Sequence, residues 1–175
     1  MTAPGEPQSE HAKLARKVVE ACVRGEDLTD VENVALELKE KRAGVFVCIE
    51  KNGELRGCIG TIQPAARDIA EEIRNNAISS AKSDFRFGPV RPNELDRLTY
   101  SVDVLGEAED IADMSHLDPK VYGVIVRSGN KSGLLLPDLE GVDTAEEQVR
   151  IAMMKAGISP GEPVALQRFT VTRHK

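Results

Sequence analysis

The chain has 175 residues, a length that fits one domain or one domain with a small lobe. It is 41% hydrophobic and 30% charged, with a net charge of −6 and 3% aromatic residues. The negative charge argues against general binding to nucleic acids or membrane surfaces, and the scarcity of aromatic rings argues against stacking on bases. The composition is that of a soluble globular protein, and we expect neither a membrane nor a nucleic acid as its partner.

The sequence has no apolar run as long as a membrane span, and its start lacks the charged-then-apolar pattern of a secretory signal. Residues 1–10 are predicted to be a flexible N-terminal segment, and residues 11–175 a single domain with room for two lobes. Cys22, Cys48 and Cys58 are an odd number of cysteines at long spacings, so they predict no disulfide framework. We therefore expect a cytoplasmic protein.

The first half of the chain predicts helices around one hairpin. Ser9 is a candidate helix cap, and Gly25 would end that helix after Arg24. Asn52-Gly53 is the strongest two-residue turn signal, and it predicts a hairpin in the segment GVFVCIEKNGELRGCIGT. The flanking predictions are a short helical piece around 34–41 and an amphipathic helix over 64–82.

The second half predicts a proline-interrupted surface loop, two strand regions and a helix. LTYSVDVLG alternates apolar and polar residues as a half-buried strand does, and a second hairpin is predicted around Gly129-Asn130. Thr144 and Glu147 form a capping box for a helix over 145–156, and the tail PVALQRFTVTRH is predicted to be one last strand. Hairpins beside helices, without a run of βαβ units, indicate an α+β fold with a largely antiparallel sheet and flanking helices.

The two hairpins share a loose pattern, in which a glycine-valine start is followed by apolar residues, a turn and a further glycine. An ancient duplication would explain this pattern. The acidic run 107–113 is predicted to be a solvated loop rather than a calcium cage. The three histidines are scattered and match no zinc spacing, so neither a metal nor a cofactor is expected.

A regular ladder on the Asn52-Gly53 turn fixes which residues of the first hairpin face each other. Cys48 then lies opposite Gly57, and Cys58 lies opposite Val47. Directly paired residues point to the same side of a sheet, so this register places the two cysteines on opposite faces. It therefore predicts that they form no disulfide.

The same register places Arg56 and Cys58 two residues apart on one face. A guanidinium beside a thiol favours the thiolate, which makes Cys58 a candidate catalytic nucleophile. Gly57 and Gly60 bare the backbone, so either a neighbouring helix packs there, with Cys58 as a small buried residue, or a ligand binds. The candidate ligand-binding residues are Arg56, Gly57, Ile59, Gly60, Thr61, Asp84, Arg86 and Asp103.

The stretch LRGCIGT, Leu55–Thr61, resembles the signature of the AMMECR-one domain family. The segments YGVIVRSGNKSGLLLPDLEGVDTAEEQ and KAGI resemble its bacterial branch, AmmeMemoRadiSam system protein A. The resemblance covers roughly residues 11–174. One departure is DFRFGPV, where the family commonly has DPRFPPV; Arg86 and the aromatic residue after it are kept.

The resemblance implies a two-lobed α+β fold with a larger and a smaller lobe. It also implies partners, since family members are encoded beside, or fused to, a Memo-like protein related to extradiol dioxygenases and a radical SAM protein. The first hypothesis is therefore an accessory subunit that binds an unknown small molecule and acts with these two proteins. The alternative is an enzyme that uses Cys58 as a nucleophile beside Arg56. A third hypothesis, RNA binding, is opposed by the acidity and the few aromatic residues.

Overall fold

The computed structural model describes residues 5–28 and 33–175, and the chain divides into two compact units. The larger unit runs up to Val104 and includes Thr172–Lys175, and the smaller unit is Leu105–Val171. Each unit has a four-stranded sheet with helix packed on it, which confirms the α+β class. In chain order the helices are α1 (Glu10–Arg24), α2 (Ile69–Lys82) and α3 (Ala145–Ala156). The strands are β1 (Val45–Lys51), β2 (Glu54–Gly60), β3 (Leu98–Leu105), β4 (Glu109–Ile111), β5 (Gly123–Ser128), β6 (Lys131–Leu135), β7 (Ala165–Phe169) and β8 (Val171–His174).

Local signals at the ends of α1 are confirmed. The Ser9 hydroxyl accepts a hydrogen bond from the Ala12 N–H at 3.1 Å, and Gly25 ends the helix in the left-handed conformation with φ of 70°. The backbone N–H groups of Gln8 and Ser9 donate to the Lys175 carbonyl at 3.1 and 2.8 Å. This end of the predicted flexible segment is therefore bonded to the fold, and residues 1–4 lie outside the described residues.

The core of the larger unit lies between its helices and one face of its sheet, whose order is β2-β1-β3-β8. The β1 residues Val45, Val47 and Ile49 are fully buried on this face. Helix α2 presents Ile73 and its four-residue neighbours to them, as the helical spacing predicts. The helix begins at Ile69 rather than at Pro64, because the Asp68 side chain caps it by accepting from the Glu71 N–H at 2.8 Å.

The smaller unit has the sheet order β4-β7-β5-β6, with α3 against β5 and β6. Helix α3 has the predicted bounds, with Thr144 as its cap and Gly157 as its left-handed stop. The predicted single last strand is wrong, because the tail forms β7 in the smaller sheet and β8 in the larger one. The acidic run is also not all loop, since Glu109–Ile111 is the short strand β4 paired with β7. Within residues 5–28 and 33–175, no helix has the length and apolar character needed to cross a bilayer.

The predicted register of the first hairpin is correct for its first two pairs and wrong from the third pair onward. Glu50 pairs with Leu55 and Ile49 pairs with Gly57, so Arg56 is an extra residue in a β-bulge. A one-residue shift moves every later side chain to the other face of the strand. Cys58 consequently lies directly opposite Cys48, and the two form a disulfide that the regular ladder excluded.

Other parts of the protein occupy the space beside the two glycines of the signature strand. A Cβ on Gly57 would collide with the backbone carbonyl oxygen of Ser80 in α2. A Cβ on Gly60 would collide with the ring of Phe46 across the ladder. Helix packing therefore explains Gly57, and a cross-strand aromatic ring explains Gly60.

The two glycines differ in what must move to admit a methyl group. We expect Gly57→Ala to lower the free energy of unfolding by roughly 1–3 kcal/mol, because helix backbone has to shift. Gly60→Ala is expected to cost less, because the half-buried Phe46 ring can rotate away. Urea unfolding of both variants measures this, with Gly60→Ala repeated in a Phe46→Ala background, where its cost should almost vanish. Equal costs for the two glycines, or no effect of the background, would contradict these contacts.

Two histidines from opposite ends of the chain stack on each other in the larger unit. The rings of His11 and His174 have centroids 3.6 Å apart and planes at 11°. Burial, and then the charge of His174, lower the pKa of His11, while Glu37 and Glu10 oppose this effect. The fold therefore favours the neutral His11 ring.

The stacked pair predicts a pH-dependent loss of stability. Because the pKa of folded His11 lies below its ordinary value of 6.5, the unfolded chain takes up the proton first as pH falls. The free energy of unfolding is therefore highest above pH 6.5, where His11 is neutral in both states, and it falls below pH 6.5 as the unfolded chain binds the proton. Urea midpoints measured between pH 5 and 8 should fall on the acid side, and His11→Phe should flatten that slope. His116→Phe, at an exposed position, is the control; an unchanged slope in His11→Phe would refute the assignment.

Candidate functional site

The LRGCIGT signature forms most of β2, which is an edge strand of the larger sheet. An edge strand presents backbone groups without a strand partner. Here the Cys58 N–H donates to Asp84 Oδ2 at 3.0 Å, and the Cys58 carbonyl accepts from Arg86 Nη2 at 3.2 Å. The next N–H, of Ile59, donates to Ser80 Oγ at 2.9 Å, and the Ser80 hydroxyl donates to the Val47 carbonyl at 2.7 Å. Asp84 and Arg86 thus bond the outer edge of the signature strand, whereas Ser80 bridges the strand to β1 on its inner edge.

Asp84 and Arg86 form one charged unit on this edge. The Arg86 guanidinium donates to both Asp84 carboxylate oxygens, at 3.0 and 2.8 Å. This hydrogen bonding, with a smaller contribution from the Cys58 N–H, lowers the pKa of Asp84 to about 2 against the opposing effect of burial. The carboxylate is therefore charged at any pH above about 3, and its pair with Arg86 holds the Cys58 backbone in place.

The β-bulge directs Arg56 away from Cys58 and towards Glu94. Its guanidinium donates to both Glu94 oxygens at 3.0 Å and to the carbonyl oxygens of Gly88 and Pro89, each at 3.0 Å. Lys51 Nζ donates to the same carboxylate at 2.8 Å. The Arg56 hydrogen bond, followed by that of Lys51, lowers the pKa of Glu94 to about 2. This ion-pair cluster fastens the 88–94 segment to the hairpin.

A groove of about 550 Å³ opens beside this cluster, within the larger unit. Among the described residues, four cationic side chains and one carboxylate line it, together with Phe87, Gly88, Pro89 and Asn93. The charged lining residues are Lys51, Arg56, Arg91, Arg97 and Glu94. Phe85, on the adjoining loop, is 94% exposed. In a chain of net charge −6, this concentration of positive charge suits an anionic group.

The remaining predicted site residues have internal partners. Thr61 donates its hydroxyl to Glu72 Oε1 at 2.6 Å and accepts from the Asn76 side chain at 3.2 Å. Asp103 is buried and accepts two hydrogen bonds from Arg173, at 2.8 and 2.9 Å. The structure therefore brings Asp84 and Arg86 to the signature strand, whereas Thr61 and Asp103 belong to other polar clusters.

The arrangement proposed for a nucleophile is corrected by the structure. The Cys58 sulfur is bonded to Cys48, and the Arg56 guanidinium binds Glu94 and two carbonyl groups instead of a thiol. Within residues 5–28 and 33–175, no three His, Cys, Asp or Glu side chains are grouped closely enough to hold a metal ion.

Sequence reasoning predicted Arg56 but missed the other charged residues that line the groove, which are Lys51, Arg91, Glu94 and Arg97. A signal was present, because Arg86, Arg91 and Arg97 stand within twelve positions of a chain that is acidic as a whole. The convergence of Arg91 and Arg97 with Lys51 and Arg56 depends on how the loop folds onto the hairpin, which local patterns do not predict.

The fold and the site first define a class: an α+β protein of two units, whose signature edge strand is clamped by a charged loop beside a basic groove. The chain belongs to the AMMECR1 family, which it matches over residues 12–174. The resemblance that the signature indicated is thereby confirmed at the level of the family.

Relatives in bacteria and archaea extend this match. A Thermotoga maritima protein is 52% identical over 168 residues, which are 94% of this chain and 97% of the relative. A Clostridium acetobutylicum protein is 48% identical over 167 residues, which are 94% of this chain and 36% of the relative. The crystal structure of an uncharacterized protein from Pyrococcus horikoshii has a TM-score of 0.83 and 31% identity, covering 93% of this chain and 88% of that one. Their names state no activity.

The Asp84–Arg86 unit predicts a charge-dependent contribution to stability. We expect Asp84→Asn to lower the free energy of unfolding at pH 7 by about 1 kcal/mol, because Arg86 is half-exposed and water screens the pair. Because folding lowers the pKa of Asp84, its charge stabilises the folded state at pH values above 3.8, the pKa in the unfolded chain. This stabilisation is lost as pH falls through about 2, the pKa in the folded state. Urea unfolding of the variant and wild type should therefore converge between pH 4 and 2.

The control is Asp96→Asn, which removes the charge of an exposed ion pair. The Asp96 Oδ1 atom lies 3.9 Å from Arg97 Nε, and the aspartate side chain is exposed to solvent. That substitution should change stability by no more than a few tenths of a kcal/mol. An Asp84→Asn variant as stable as this control at pH 7 would show that the clamp contributes nothing.

Proposed function

We propose that this protein is a non-catalytic accessory subunit that binds an anionic group of a small molecule or partner in the groove beside β2. The observation that carries the proposal is the lining itself, in which, among the described residues, four cationic side chains (Lys51, Arg56, Arg91 and Arg97) stand with a single carboxylate. Arg91 and Arg97 are exposed there, so they are available to an incoming anion. Arginine is well suited to this task because its planar fork binds carboxylate and phosphate groups through two hydrogen bonds.

The electrostatics of the two carboxylates favour binding over acid–base catalysis. A general acid or base works best with a pKa near the operating pH. Asp84 and Glu94 both have pKa values lowered to about 2, so neither carries a proton to donate at neutral pH and both are very weak bases. Their hydrogen bonds instead position the strand and loop that shape the groove.

The nucleophile hypothesis has weaker support. It requires a thiolate at Cys58 with a cation beside it. The Cys58 sulfur is in a disulfide, and the guanidinium expected to activate it binds Glu94. No contact of the described residues favours this alternative in the disulfide form.

The proposed partners are a Memo-like protein, related to extradiol dioxygenases, and a radical SAM protein, as the resemblance to the bacterial branch implies. The Clostridium relative is consistent with a domain that works beside others, because the matched stretch is 36% of its length. Phe85, which is exposed two positions before the groove residue Phe87, adds an apolar contact of the kind that protein interfaces use. A cytoplasmic location stays a prediction.

The proposal predicts charge-dependent binding of the partners. In calorimetric titrations at low salt, at least one of the two proteins should bind at micromolar concentration. The double variant Arg91→Glu/Arg97→Glu should bind about tenfold more weakly, because two attractions become repulsions. Added salt should weaken wild-type binding more than that of the variant, since exposed charges are screened.

A charge-matched control is Lys17→Glu/Arg127→Glu, at two exposed positions outside the groove. It should bind as wild type does. Equal weakening by both double variants would mean that net charge, and not the groove, governs binding. Failure of both partner proteins to bind wild type at micromolar concentration would overturn the accessory role.

A further inference from the structure

We propose that Cys48 and Cys58 form a reversible dithiol–disulfide site that exchanges electrons with external dithiols and disulfides. The observation is the register itself, which places the two residues directly opposite each other on β1 and β2 and joins their sulfur atoms. This site depends on the hairpin alone. It would therefore stand even if the basic groove bound no partner.

Hydrogen bonds hold β2 in place independently of the disulfide. A reversible disulfide requires such support, because the strand has to keep its position when the sulfur–sulfur bond opens. The Cys58 N–H and carbonyl are bonded to Asp84 and Arg86, respectively. The hydroxyl of Ser80 accepts from Ile59 N–H and donates to the Val47 carbonyl, so it ties β1 to β2 next to the cysteines. Opening the sulfur–sulfur bond should therefore leave β2 paired and return the two thiols to the same positions.

The two sulfur atoms lie on the face of the hairpin that α2 does not cover. Helix α2 packs on the opposite face, where the Gly57 backbone touches Ser80 and Ile49 is buried. Cys48 and Cys58 are each partly exposed to solvent. A small dithiol can therefore approach the bond, whereas a fully buried disulfide would resist exchange.

The exchange needs no reactant other than the external dithiol or disulfide. A thiolate of the external dithiol attacks one cysteine sulfur, the sulfur–sulfur bond breaks, and the other cysteine leaves as a thiolate that takes up a proton. The second thiol of the reductant then loses its proton and attacks the reductant sulfur that is bonded to the first cysteine. That cysteine leaves as a thiolate and takes up a proton. Two electrons pass to the protein, the dithiol becomes a disulfide, and the reverse reaction uses an external disulfide as oxidant.

The exchange would control the chemistry of the family signature. In the oxidised form Cys58 has no thiol, and in the reduced form a thiol stands in the centre of LRGCIGT beside a clamped backbone. Cys22, on α1, is a free thiol in both forms and serves as an internal reference.

The test is a redox titration of the folded wild-type protein in mixtures of reduced and oxidised dithiothreitol. Acid-quenched samples are alkylated with iodoacetamide in denaturant, and the intact mass gives the number of blocked thiols. We expect one blocked cysteine, Cys22, under oxidising conditions and three under reducing conditions, in one two-electron step. Amide exchange of β2 should be the same at both ends of the titration.

Two single variants serve as controls. Cys22→Ser should shift between no blocked thiol and two, whereas Cys48→Ser should keep both remaining thiols alkylatable throughout. Three blocked thiols in wild type at every ratio would overturn the site, because no disulfide forms. A disulfide that excess dithiothreitol opens only in denaturant would also overturn it, because that bond would be a closed cross-link. The wild-type titration decides the matter even if a variant does not fold.

Discussion

The bonding of the outer edge of β2 is the constraint on which the rest of the site depends. An edge strand must satisfy or protect backbone groups that no neighbouring strand pairs with. Here Asp84 and Arg86 bind the N–H and carbonyl of Cys58, which brings the loop after α2 against the strand. The same loop continues to Glu94, where Arg56 and Lys51 hold it a second time. The basic groove lies at the second attachment, where Lys51, Arg56 and Glu94 are part of its lining.

One extra residue in β2 decides what each side chain of the signature does. The bulge at Arg56 sends its guanidinium to Glu94, turns Gly57 towards α2 and brings Cys58 opposite Cys48. In a regular ladder the arginine and cysteine would share a face, and an activated thiol would follow. The bulge instead separates a structural ion pair from a pair of sulfur atoms, so binding and redox chemistry become the supported hypotheses.

The two units use a similar construction. In each one a hairpin places a glycine of its second strand against the backbone of a helix, Gly57 against Ser80 and Gly133 against Ala152. Each helix has a side-chain cap and a buried polar residue four positions after it, Glu72 in α2 and Gln148 in α3. These shared features support the duplication that the two hairpin sequences suggested, which itself stays a prediction.

Sequence alone determined the short-range features: the Ser9 and Thr144 caps, the turn at Asn52-Gly53, the α+β class and the family. The caps and the turn rest on contacts between residues close in the chain, the class rests on the order of such local elements, and the family rests on the LRGCIGT signature and the downstream segments. The register beyond the turn was not predictable in this way, because a bulge leaves the apolar alternation of the partner strand intact. Nor were the clamp and the groove, since Cys58 meets Asp84 across 26 positions and Arg56 meets Glu94 across 38. Those contacts exist only after α2 has packed on the sheet and carried the following loop to the strand edge, so tertiary structure alone decided them.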